Sequence, residues 1–123
     1  MAFIAADPHA RLGAEGGHCL PHVQRVAGVT HSSTLRRGAR VLETDDIPRG
    51  TVIGTFDANG RYANATDGSS HVAILLHRND VDRSLLVVDT WIGKPVGERI
   101  IRDKGGSGPA ADDSSRYYTV EVA

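Results

Sequence analysis

Two short, nearly unbroken apolar runs, HVAILL from His71 to Leu76 and LLVVDTW from Leu85 to Trp91, flank the polar connection HRNDVDRS. Segments of this length, rich in β-branched residues and bounded by polar clusters, read as strands. A chain that carries two of them so close together is expected to bury them as a central hairpin. Only two ionisable residues interrupt the apolar pattern, His71 at the start of the first run and Asp89 inside the second.

The other elements are arranged around that hairpin. After Gly16-Gly17, the segment HCLPHVQRVAGV repeats Leu20, Val23 and Ala27 at helical spacing with Val26 beside them, and Gly28 closes it. Pro21 fits the first turn of such a helix, where a missing N–H costs nothing, so the helix is predicted to begin near His18 or Cys19. The polar stretch THSSTLRRGAR predicts a short helical turn before Gly38, with Ser32 or Ser33 as its N-cap. Turn chemistry at Ile47-Pro48-Arg49-Gly50 precedes a β-branched strand from Thr51 to Phe56, and residues 57–70 form a loop. Val96 to Ile101 and Tyr117 to Val122 are further strands, separated by the glycine-rich, acidic KGGSGPAADDSS, which reads as flexible. Residues 1–15 show no sustained period and are expected to be partly ordered at best.

One principal helix followed by about five to six strands is segregation rather than alternation, which predicts an α+β fold with an antiparallel sheet and the helix on one sheet face. With 123 residues the chain is expected to be one domain, residues 1–123. Fourteen basic against fifteen acidic residues, with no basic cluster, argue against a nucleic-acid partner. No run approaches the roughly 20 apolar residues of a membrane span, so membrane insertion is not expected. The N-terminal MAFIAADPHARLG lacks the basic and apolar regions of a signal peptide, which predicts synthesis in the cytoplasm without one.

Cys19 is the one cysteine, so an internal disulfide is excluded and two readings remain, a buried small hydrophobe or a reactive thiol. Its predicted place at a helix start favours the thiolate, because unpaired N–H groups and the helix dipole attract negative charge there. The same N–H groups suit an oxyanion, and Gly16 and Gly17 would let a substrate approach the backbone. His71 and Asp89 supply the rest of a nucleophile, base and orienter set. If the hairpin sets 71 opposite 89, with 78–82 as a five-residue loop, their Cβ atoms lie about 4.5–5.5 Å apart. Asp89 could then bind one imidazole nitrogen and leave the other for the thiol. Each residue alone has an ordinary structural explanation, but an acid within LLVVDTW is costly to bury without a partner. Trp91, Tyr62 and Gly17 are the candidates to line a substrate groove. The alternatives are a core aromatic for Trp91 and a plain loop residue for Tyr62.

Gly-His-Cys at a helix start, His-Val-Ala-Ile on one strand and Val-Asp-Thr-Trp on the next resemble the papain-like peptidoglycan amidases of the NlpC and CHAP groups. With Gly50-Thr51 before a strand ending in Thr55-Phe56, the likeness over residues 15–101 is closer still to the small amidase effectors of type VI secretion systems. The resemblance implies a papain-like cysteine peptidase core and hydrolysis of peptidoglycan stem peptides, with Cys19 as nucleophile, His71 as general base and Asp89 as orienter. It implies no metal or organic cofactor. It further implies delivery by secretion machinery to the periplasm of target bacteria, and a cognate immunity protein as partner.

Two rival readings stand beside it. His18 and His22, four residues apart around Cys19, have the spacing of helical zinc ligands, although no second ligand cluster accompanies them. A non-catalytic binding or immunity-type module would need only an inert, structural Cys19. A thioltransferase lacks its second cysteine.

Overall fold

The computed structural model describes residues 2–65 and 67–122. Among these, helix α1 spans Cys19–Ala27, and six strands follow: β1 Leu35–Arg40, β2 Val52–Gly54, β3 Val72–Asn79, β4 Ser84–Trp91, β5 Lys94–Ile101 and β6 Tyr118–Val122. They form one sheet in the order β1-β6-β2-β3-β4-β5, and every neighbouring pair is antiparallel. The expected α+β segregation is therefore present.

Both faces of this sheet are covered, which is why the two apolar runs barely alternate. On one face Val72, Ile74, Leu76 and Val88 pack with Leu20 and Val23 of α1. On the other, Ala73, Leu75, Leu85 and Val87 pack with Val41, Ile101 and the fully buried Tyr117. A strand buried on both sides needs apolar residues at consecutive positions. Asp89 is thus an acid in a layer with no solvent on either side.

The hairpin forms, but in a register two residues away from one that sets 71 opposite 89. Ile74 faces Val88 and Leu75 faces Val87, and a bulge after Leu75 then brings His77 opposite Leu86. The strands run on to Asn79 and Ser84, leaving a tighter loop than 78–82. Because side chains alternate with a period of two, a two-residue displacement keeps every residue on its face. Asp89 stays on the side of His71, one step along the strand instead of directly opposite, and the ring of Trp91 comes within 5.9 Å of the imidazole.

The helical turn expected before Gly38 is replaced by a single 3-10 turn, Ser32–Thr34, followed directly by β1. Its cap is the side chain of His31, which accepts the Ser33 N–H, and neither serine serves that role. Leu35 is fully buried and draws the following residues into pairing with β6. In the glycine-rich stretch, the buried carboxylate of Asp113 accepts the backbone N–H groups of Lys104, Gly106 and Ser115. An internal anion thus organises a segment whose composition suggested flexibility.

The segment before α1 is tied to the sheet at both ends. Ile4 bridges Thr51, the Ala5 N–H donates to Gly50, and Gly13 and Ala14 exchange hydrogen bonds with Val96 of β5. Gly16 lies so close to the β4–β5 turn that a Cβ there would sit 2.5 Å from the carbonyl oxygens of Trp91 and Lys94. Its lack of a side chain serves this chain packing rather than substrate approach. Gly17, by contrast, has open space around the same position. Gly16→Ala should therefore cost about 1–3 kcal/mol as an overpacking change, whereas Gly17→Ala should stay within about 0.5 kcal/mol. Urea midpoints of the two variants check the contrast, and equal midpoints would contradict this packing.

Candidate active site

Helix α1 starts at Cys19 without a cap. His18 makes no side-chain hydrogen bond to the first turn, and that turn holds no acidic residue. The backbone donors of the first turn therefore have no side-chain acceptor, and the positive end of the helix dipole is uncompensated. Gly16, pinned against the β4–β5 turn, and the Gly17 N–H, 3.4 Å from Thr90 Oγ1, fix where this helix end points. The far end closes normally, with Gly28 left-handed and its N–H donating to Gln24.

The imidazole of His71 comes to this helix end from one residue ahead of β3. Its backbone N–H donates to Thr55 Oγ1, and its Nε2–H donates to Asp89 Oδ2 at 2.8 Å. That bond fixes the tautomer and leaves Nδ1 for the thiol. The Asp89 side chain has no solvent exposure. Its Oδ2 also accepts from Arg99 Nε at 2.9 Å. Lys94 Nζ lies 3.1 Å from Oδ1 but directs its hydrogens to the carbonyls of Asp89, Pro95 and Gly97. Oδ1 therefore receives charge without a directed hydrogen bond.

The electrostatics follow from these contacts. Burial pushes the Cys19 thiol up, but the hydrogen bond to and charge of His71, the Val72 N–H and the Tyr62 hydroxyl together hold it below its ordinary value. Burial pushes His71 down, and its bonds to Asp89 and Cys19 outweigh that and raise it to about 9. Asp89, which burial alone would raise, is held at about 2 by His71 and Arg99. A lowered thiol beside a raised imidazole, with a permanent carboxylate behind it, favours a thiolate–imidazolium pair near neutral pH.

Cys19 and His71 open onto a cleft of about 360 Å³, whose walls include Tyr62, Asn64, Trp91 and Ile92, while Asp89 lies buried behind the imidazole. Of the expected groove residues, Trp91 and Tyr62 face this cleft. Gly17 does not line it and belongs to a separate, smaller pocket with Pro21 and His22. His22 is buried within α1 while His18 is exposed, and among the described residues no group of three His, Cys, Asp or Glu side chains is placed to hold a metal ion.

A chain with this helix, sheet and converging triad matches the family model of domesticated amidase effector 2 over residues 5–120. The chain belongs to that family. It is therefore an amidase effector homologue, and no curated protein matches it. Among solved structures it is similar to a type 6 secretion amidase effector 2, with 29% sequence identity and a TM-score of 0.81, covering 98% of this chain and 94% of the other. Its fold is accordingly a papain-like core carrying the N-terminal helix on an antiparallel sheet.

Sequence reasoning missed the cations behind this amidase-family site. Arg99 binds Asp89, donates to Asp112 Oδ1 and the Ala111 carbonyl, and stacks on Trp91 at 5.0 Å from the ring centroid. Lys94 sits 5.4 Å from the same centroid. Both lie on the edge strand β5, where charge is unremarkable. The available signal was Asp89 itself, since a buried acid held by one histidine still requires a further counter-charge.

Removing the carboxylate of Asp89 weakens the imidazolium and with it the thiolate. The rate of Cys19 alkylation by iodoacetamide should rise with pH at a value below that of a free thiol in the wild type, and at a higher pH in Asp89→Asn. Identical profiles would show that Asp89 does not tune the pair.

Proposed function

We propose that this protein is a cysteine-dependent peptidoglycan amidase or endopeptidase that hydrolyses cell-wall stem peptides. The observation that carries this reading is the meeting of Cys19 and His71 in a cleft at an uncapped helix start, with Asp89 buried behind the imidazole, in a chain of an amidase effector family.

The Cys19 thiolate attacks the amide carbonyl, forming an S–C bond while the carbonyl π pair moves to oxygen. Collapse of that intermediate breaks the C–N bond, and the imidazolium of His71 gives its proton to the departing amine. A water then loses a proton to His71, attacks the thioester and frees Cys19. Asp89 keeps Nε2 protonated and the ring in line throughout. Trp91 and Tyr62 wall the cleft that receives the peptide. The route needs neither metal nor organic cofactor.

Under the same reading the protein is made in the cytoplasm, exported by type VI secretion machinery and active in the periplasm of target bacteria. A cognate immunity protein that plugs the cleft is its natural partner, and neither a membrane nor nucleic acid is a ligand. No helix among the described residues is long and apolar enough to cross a membrane.

Purified sacculi provide the test. Cys19→Ala should reduce muropeptide release by at least about a thousandfold, as expected for loss of a nucleophile, and mass spectrometry of the released fragments identifies the bond. Unchanged release would end the proposal, as would a native thiol that alkylates only after unfolding, the behaviour of an inert structural cysteine. The pH profile of kcat/KM should be bell-shaped, with its acid limb set by the lowered thiol. Its alkaline limb should lie near about 9, where His71 loses the proton it must donate.

A further inference from the structure

We propose that Tyr62 is a catalytic residue, its hydroxyl donating a hydrogen bond to the oxyanion that forms when Cys19 attacks the substrate carbonyl. This rests on the amidase reading and adds to it the missing half of the oxyanion site.

The hydroxyl lies 3.6 Å from Cys19 Sγ, and this is the contact the structure gives it. Tyr62 belongs to the loop between β2 and β3, not to α1, so its hydroxyl is a donor independent of the helix backbone. The ring is 6% exposed and stands edge-on to Phe56 at 6.3 Å, and Phe56 is edge-on to Tyr118 at the same distance. Such a chain of aromatics holds the phenol in place before substrate arrives. Burial pushes its proton affinity up, and the neighbouring Cys19 pushes it further, so it stays a donor throughout the working pH range.

The helix supplies an incomplete set of partners. The first turn has no side-chain cap, but Pro21 removes one of its N–H groups. Oxyanion stabilisation depends on donors aimed where charge develops, in a site shielded from water. A carbonyl carbon bonded to Sγ carries its oxygen within a bond or two of the sulfur. A donor already beside Sγ is therefore within reach of that oxygen. In the resting enzyme the hydroxyl serves the thiolate. As the S–C bond forms, charge leaves sulfur for the carbonyl oxygen and the hydroxyl follows it, keeping its proton. On collapse the C=O bond is restored and the hydroxyl returns to its first partner.

Two reactions of the same thiol separate this role from a general effect on Cys19. Alkylation by iodoacetamide displaces iodide and builds no oxyanion, whereas amide hydrolysis does. Tyr62→Phe should lower kcat for stem-peptide hydrolysis by about a hundredfold, the scale of one lost oxyanion donor. The alkylation rate on its pH plateau should change by less than about threefold. Equal losses in both reactions would make Tyr62 a thiolate partner only, and a change confined to KM would make it a groove wall, either of which overturns the proposal. A wild type that alkylates at Cys19 but cleaves no stem peptide would refute the amidase reading itself and this role with it. Should Tyr62→Phe fail to fold, a crystal structure of the wild type with a peptide aldehyde on Cys19 decides the matter. The hemithioacetal oxygen should lie within about 3.2 Å of the phenol oxygen, and an oxygen turned away from Tyr62 would overturn the proposal.

Discussion

The carboxylate of Asp89 is the constraint around which the rest is arranged. A charged group without solvent exposure, between two apolar layers, costs several kcal/mol unless cations and donors surround it. Here two different pieces of chain bring them: His71 from the end of the β2–β3 loop, and Lys94 and Arg99 from β5. Satisfying the acid therefore assembles the site. The imidazole is turned with Nε2 inward and Nδ1 outward, Arg99 carries the link on to the 3-10 turn Ala110–Asp112, and both cations lie against Trp91.

The Cys19 thiol is positioned by a separate device. Gly16 packs against the carbonyls of Trp91 and Lys94, so the start of α1 is registered on the turn that joins β4 to β5. Packing of Leu20 and Val23 onto Val72, Ile74 and Val88 fixes the helix axis. The thiol thus takes its position from the helix packed on that turn, and the imidazole takes its own from Thr55 and Asp89.

Much of this was legible because the apolar strands are so uniform. In HVAILL and LLVVDTW a histidine and an aspartate stand out as groups that must be paired, and the two-residue periodicity keeps them on one side even when the register moves. The register itself was hidden, because it depends on the bulge after Leu75 and on how far the strands extend through Arg78 and Ser84. β1 was hidden as well. LRRGAR has one buried residue at its start, and its strand conformation comes from pairing with β6, a contact far away in sequence. Arg99 and Asp113 were illegible for a related reason. A charge on an edge strand or in a glycine-rich loop resembles ordinary surface until tertiary structure shows what it neutralises or ties down. Tyr62 could be read from the sequence as a candidate for the groove, but its loop has no period, and only the fold brings its hydroxyl to the thiol.

The uncapped start of α1 also bears on how far this protein could be stabilised. An Asp or Ser at position 18 would add roughly 1 kcal/mol by accepting the first-turn N–H groups, and it is among the first changes a stabilisation effort would try. It would place an acceptor, or a negative charge, on the donors that face the thiol. His18 thus marks a position where a sturdier helix and a lowered Cys19 thiol make opposite demands.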